Sequence, residues 1–170
     1  MAVNLVVGTN SYIDVPTAQT YFDDRLYSDA WENATDDNKA KALIMASKKL
    51  DRLPIKGVKA NYYQSMEFPR ALETDYRYWQ YMSLTIDAHF YGYWYVEPAV
   101  TDNVKNAVCE EALALLKGVP KRIELQRQGV KSFSFNGGMS ENYGNGKNML
   151  LYSQEAREFM QPYFGSVSLA

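Results

Sequence analysis

Side chains able to do chemistry are few in this sequence, and they are scattered. His89 is the single histidine and Cys109 the single cysteine. Neither has a second His, Cys or clustered carboxylate at metal-ligand spacing, so the sequence offers no metal centre. One cysteine also excludes an intramolecular disulfide. Cys109 lies in a helical apolar pattern and reads as a small buried residue. Carboxylates pair at Asp23/Asp24, Asp36/Asp37 and Glu110/Glu111. Adjacent helical positions diverge by about 100°, so these pairs are expected to be solvated faces or caps rather than acid–base dyads. There is no phosphate-binding glycine loop, dinucleotide fingerprint or nucleophile elbow. No catalytic residue, metal or cofactor is expected.

One stretch has a chemistry of its own. Residues 54–70 carry Lys56, Lys59 and Arg70 together with Tyr62, Tyr63 and Phe68. Cations interleaved with aromatic rings are the ingredients of a single-strand stacking groove. They also suit a packed connector whose rings cover a helix pair, and the sequence alone leaves both readings open. Net charge bears on the choice. At a formal −2 the chain lacks the broad basic footprint of general nucleic-acid binding.

The elements that must position this stretch can be read from periodicity. Asp14 is placed to cap a first helix, with Pro16 in its first turn. Val15, Ala18, Phe22 and Leu26 give it one apolar face, running to about Tyr27. Trp31 reads as a core plug. Thr35 caps the second helix, which has Asp36 and Asp37 first and Lys48, Lys49 and Arg52 last, the charge order that the helix dipole favours. Pro54 ends it. Residues 54–70 are expected to be irregular, with a turn at Gly57. Tyr76 to Phe90 has helical spacing through Trp79, Met82 and Ile86, and Phe90 to Val96 is suited to extended chain. A further helix runs from Pro98 to about Lys117, stopped by Gly118 and Pro120, with Glu111 the one polar intrusion in its apolar stripe.

From Gly129 the period changes to two. Val130–Phe135 and Met139–Tyr143 read as a hairpin about Asn136-Gly137. Residues 144–148 read as a flexible linker. Ser153 caps a last short helix with Ala156, Phe159, Met160, Tyr163 and Phe164 on one face. That face needs cover, either from its own core or from a partner. The fold class is therefore mainly α: a small helical bundle with a β-hairpin and a C-terminal extension ending in a short helix. Residues 1–128 form the bundle, with an aromatic insertion at about 72–96. Residues 129–144 are the hairpin and 145–170 a C-terminal arm. Eight of the fourteen tyrosines fall between Tyr62 and Tyr95, a density expected at a subunit interface. With no apolar run of membrane-spanning length and no basic flank at the N-terminus, a soluble protein is expected.

A series of residues in order carries a resemblance. It comprises Ser11-Tyr12-Ile13, Ala18 with Tyr21-Phe22, Trp31, Lys39 with Ala42-Leu43, Leu50-Asp51-Arg52, Gly57 and Gln64…Phe68-Pro69-Arg70. Pro98-Ala99-Val100, Val104-Lys105, Ala107 and Gly129–Ser132 continue it more weakly. The series resembles the phage head-to-tail connector (adaptor) family, some members of which are labelled DnaT-like single-stranded-DNA-binding proteins. The resemblance implies a non-catalytic virion protein at the head–tail interface, assembled in the host cytoplasm. It implies a homo-oligomeric ring, commonly twelvefold, that extends the DNA channel below the portal protein and receives the next tail or neck protein. DNA would pass without specific binding. Portal attachment then falls to the C-terminal arm, through Leu150, Leu151, Tyr152, Phe159, Met160, Tyr163 and Phe164. Subunit contact falls to Arg70, Tyr76, Tyr78, Trp79, Tyr91, Tyr93 and Trp94. Residues 72–96 depart from the family by length and aromatic density. The alternative is a single-stranded-DNA-binding accessory protein acting through Lys56, Lys59, Arg70 and the tyrosines beside them.

Overall fold

In a computed structural model of the chain, residues 3–73, 90–91, 94–118, 124–125, 132–134, 140–142 and 151–164 are described. The fold is mainly α. Helix α1 spans Val15–Asp23, α2 Asp29–Glu32, α3 Asp36–Leu50, α4 Asp102–Lys117 and α5 Gln154–Met160, followed by a 3₁₀ turn over Gln161–Tyr163. Strands β1 (Val58–Lys59), β2 (Arg70–Glu73), β3 (Phe90–Tyr91) and β4 (Trp94–Val96) form one antiparallel sheet in the order β1-β2-β4-β3. Strands β5 (Ser132–Ser134) and β6 (Ser140–Asn142) pair as a separate antiparallel hairpin.

Local chemistry sets the helix starts. The side chains of Asp14, Thr35 and Ser153 accept from the N–H groups of Thr17, Asn38 and Ala156, each satisfying a donor that the helix leaves free. The frame is α3 against α4, with α5 laid on α4. Their apolar faces meet through Leu43, Ala46 and Leu50 of α3 and Val104, Val108 and Ala112 of α4, all essentially inaccessible. Trp31 plugs one end, fully buried 4.5 Å from the Phe22 ring, and its indole N–H donates to Gln19. Cys109 is buried as expected, and desolvation pushes its thiol up to about 12.

Several expectations are corrected. Helix α1 stops at Asp23 instead of reaching Tyr27. Arg25 swings toward Glu110, Tyr27 takes a left-handed conformation, and Leu26 is left 78% exposed. Helix α4 begins at Asp102 after Thr101, four residues beyond Pro98. The carboxylates of Glu110 and Glu111 are not a solvated face: they are 4% and 0% exposed. Residues 54–70 are not wholly irregular, since β1 pairs with β2 through Val58↔Ala71 and Lys59↔Arg70. Two strand residues are too few for period two to be visible. In the hairpin, Ser134 stands opposite Ser140. A two-residue turn at Asn136-Gly137 would have put Ser134 opposite Met139, so the pairing is shifted by one. The turn residues themselves, and the expected helix over Tyr76–Phe90 except its last residue, lie outside the described residues; Phe90 is in β3 instead.

The last helix docks on its own core, one of the two readings that its apolar face allows. Ala156 and Met160 are fully buried. Glu111 accepts from the backbone N–H groups of Tyr152 (2.8 Å) and Ser153 (3.0 Å), and pairs with Lys49. Two orphan N–H groups at the entry to α5 and one cation of α3 thus share a single buried carboxylate.

Candidate nucleic-acid interface

The stretch that the sequence singles out has two faces. Its inner face is a polar knot. The Tyr12 hydroxyl donates to Asp51, at the carboxyl end of α3, and accepts from the N–H groups of Glu67 (3.0 Å) and Phe68 (3.2 Å). Desolvation, with the Asp51 carboxylate beside it, pushes the Tyr12 hydroxyl far above its ordinary range. Desolvation also raises the Asp51 carboxyl. The Phe68–Pro69 bond is cis, and Phe68 packs edge-on against both Tyr12 and Tyr163. Gln64 closes the loop, its amide donating to Met66 O (2.8 Å) and Pro69 O (2.9 Å).

Arg70 sits at the centre of this face, 4% exposed. Its guanidinium donates to the carbonyls of Lys56 (2.6 Å) and Gly57 and to the Glu67 carboxylate (2.8 Å). Its backbone N–H donates to Glu97 (2.8 Å), whose other oxygen accepts from the Tyr163 hydroxyl (2.6 Å). Tyr163 has one hydrogen to give, so the Thr101 hydroxyl, 2.6 Å away, donates to it. The knot therefore ties β2, the segment before α4 and the chain after α5. Gly57 is required where it stands: its φ is +75°, and a Cβ would meet Ala71 O at 2.2 Å.

The outer face is bare. Tyr62 and Tyr63 are 89% and 88% exposed, their rings edge-to-face with centroids 5.4 Å apart. Val58, in β1, is 55% exposed. The loop that carries the rings is braced: Asn61 and Gln64 bond across it, Asn61 N–H to Gln64 Oε1 at 3.0 Å and Tyr63 N–H to Asn61 Oδ1 at 2.9 Å. Lys59 leans on Glu67 at 3.5 Å. Lys48, Arg52 and Lys56 are exposed and have no ion-pair partner among the described residues. Lys48 lies in the last turn of α3, and Arg52 and Lys56 follow it along the chain. Asp51 comes within 3.4 Å of the Glu67 N–H, so the end of α3 and this loop share one end of the molecule.

Residues 3–167 match the family described as "Putative DnaT-like ssDNA binding protein". The chain belongs to this family. No curated protein and no solved structure matches. The family is described by binding and not by a reaction. Among the described residues, no group of three or more His, Cys, Asp or Glu side chains could hold a metal ion. No described helix is long and apolar enough to cross a membrane.

Within this family member, the residues singled out from sequence separate into two groups. Arg70, expected both in a stacking groove and at a subunit contact, is turned inward with its donors occupied, so its side chain is held by the fold. Lys56, Tyr62 and Tyr63 are each exposed. Trp94 lies in β4 at 37% exposure, and Tyr91 pairs with it across β3. Tyr76, Tyr78, Trp79 and Tyr93 lie outside the described residues. Of the residues assigned to portal attachment, Leu151, Met160 and Tyr163 are buried in the chain's own core, at 6%, 0% and 4%. Tyr152 lies under the Lys49 ammonium, 3.1 Å from the ring centroid. Phe159 and Phe164 pack partly buried against the core, and Leu150 lies outside the described residues. Sequence reading missed Lys48 and Arg52 as members of the exposed cation row. Their i, i+4 spacing ahead of Lys56 was the available signal.

Proposed function

We propose that this protein is a non-catalytic accessory protein that contacts single-stranded DNA through the Tyr62–Tyr63 tip and the cation row Lys48, Arg52 and Lys56. The observation that carries this reading is the near-complete exposure of two adjacent tyrosines on a braced loop. Large rings are ordinarily covered, and bases stack on such rings with about 1–3 kcal/mol each. The family description supports the same ligand class. Three free cations suit a weak phosphate track. With two-thirds of a charge released per phosphate, the salt slope for three contacts is about −2.

Fluorescence anisotropy of a labelled oligothymidine, titrated at several salt concentrations, tests the reading. Binding is expected with that shallow slope. Tyr62→Ser with Tyr63→Ser is expected to weaken it by about tenfold or more, at 1.4 kcal/mol per decade. Binding that ignores the tyrosine changes would sink the proposal.

A second reading is favoured by another exposed apolar pair. Leu26 and Tyr27, on the turn after α1, are 78% and 79% exposed. Two apolar patches on one subunit suit a protein that meets more than one neighbour. The connector resemblance supplies the neighbours: a ring of copies on a phage portal, with DNA passing through and a tail component below. In that reading the protein resides at the head–tail interface of the virion. Electron microscopy of the chain mixed with its portal protein is expected to show an added ring, and a bare portal would remove this reading.

A further inference from the structure

The two rings of the Tyr62–Tyr63 tip do not lie parallel. Their planes stand at 87°, with centroids 5.4 Å apart. A base sandwiched between two rings needs parallel planes on either side of it, roughly 7 Å apart at the ~3.4 Å rise per base of a stacked strand. The tyrosine pair has neither that angle nor that gap. Both rings are almost wholly exposed, so each keeps a free face for a base of its own. Two bases lying flat on planes at right angles cannot lie flat on each other. A strand that covers both rings therefore gives up one base–base stack and turns between the two nucleotides.

The loop holds the rings to this geometry. The Gln64 side chain has every amide group engaged: it donates to Met66 O at 2.8 Å and to Pro69 O at 2.9 Å, and its Oε1 accepts from the Asn61 N–H at 3.0 Å. Asn61 answers from the other side. Its carbonyl accepts from the Gln64 N–H at 3.1 Å, and its Oδ1 accepts from the Tyr63 N–H at 2.9 Å. The backbone under the rings is thus set before a strand arrives, which lowers the ordering cost of binding. Each tyrosine has only its two side-chain torsions left to adjust. We infer that Gln64 and Asn61 are positioning residues for the tip, and that the crossed rings select single strands whose bases unstack readily. Pyrimidine runs are such strands. Purines stack more strongly on one another, so the turn costs more in oligodeoxyadenosine, and in a duplex it costs base pairs as well. This inference rests on the strand-binding reading and names the class of strand.

Competition anisotropy with the full chain tests it, with labelled oligothymidine displaced by unlabelled oligothymidine, by oligodeoxyadenosine of the same length, or by the duplex of the two. Oligothymidine is expected to compete about tenfold better than oligodeoxyadenosine, the scale of a single stacking contact, and the duplex is expected to compete least. Gln64→Ala and Asn61→Ala leave both rings in place and release the loop. Each is expected to narrow the preference to about twofold or less, because rings on a freed loop can follow a stacked strand. Far-UV circular dichroism checks that each variant is folded, and Asn61, being exposed, decides alone if Gln64→Ala does not fold. A merely structural role would weaken both strands alike and keep the preference. Equal competition by the two strands, tighter binding of oligodeoxyadenosine, a duplex that matches oligothymidine, or a preference that survives in the folded variants would overturn the inference and leave the strand-binding reading standing. Failure to bind any of the three removes that reading, and this inference with it.

Discussion

The two faces of residues 54–70 are built from similar side chains and do opposite things. On the inner face Tyr12 and Arg70 have their polar groups engaged by named partners, and both are nearly inaccessible. On the outer face Tyr62, Tyr63 and Lys56 are open to water. A buried polar group is costly unless it is satisfied, so the inner face tolerates little change. The outer face contributes little to the fold, and its rings gain from contact. Residue type alone does not separate structure from binding in this loop. What separates them is whether a partner from elsewhere in the chain has claimed each side chain.

The comparison breaks most severely where the inner face is deprived of its backing. Deleting residues 149–170 removes Leu151, Ala156, Met160 and Tyr163 from the core, takes two backbone donors from Glu111 and takes the Tyr163 hydroxyl from Glu97. Three large side chains at about 1.5–3 kcal/mol each sum to the order of a domain's whole stability, about 5–15 kcal/mol. The truncated chain is expected to lose cooperative urea unfolding. A cooperative transition would show α5 to be dispensable, as an independent arm would be. Next in size is Arg70→Ala. It leaves the Lys56 and Gly57 carbonyls without their donor, and hydrogen bonds to a charged group contribute about 1.5–3 kcal/mol each; the Glu67 carboxylate, 32% exposed, keeps Lys59. A drop of that order in unfolding free energy is expected. Arg70→Lys should recover only part of it, because an ammonium does not reproduce the planar fork that reaches both carbonyls.

Legibility from sequence follows the range of the interaction. Asp14, Thr35 and Ser153 were readable as caps because a cap reaches only three residues ahead. Helix α3 was readable from its apolar stripe, its charge order and Pro54. The mainly α class, the hairpin and the short terminal helix followed from the same periodicities. The fate of Glu111 was not readable, because its cation, Lys49, lies 62 positions away. Its place within an apolar stripe was nonetheless the signal that it is buried. Arg70 misled for the same reason: beside Lys56 and Lys59 it looks like part of a basic surface, while Glu97, 27 positions on, holds its backbone. Of the candidate site, the tyrosine pair and Lys56 were visible in sequence. Which neighbours had been drawn inward was not.

Asp51 gives a finer probe of the inner face. Burial raises its carboxyl in the folded state, so the native protein holds that proton more tightly than the unfolded chain does. This group's contribution is fully present below the unfolded carboxyl's pKa, about 4, and is lost as pH rises through the folded value. The stability of the wild type relative to Asp51→Asn is therefore expected to fall from acid toward neutral pH, measured by urea unfolding at each pH. A flat difference would place the carboxylate in water. The smallest expected effect on folding belongs to the outer face. Tyr62→Ser with Tyr63→Ser removes rings that are 89% and 88% exposed, and surface changes of this kind fall within about 0.5 kcal/mol of wild type. An unchanged urea midpoint, beside a lost interaction with oligothymidine, would assign the rings to contact. A large loss of stability would instead make the tip part of the same knot as Arg70, and the distinction between the two faces would fail.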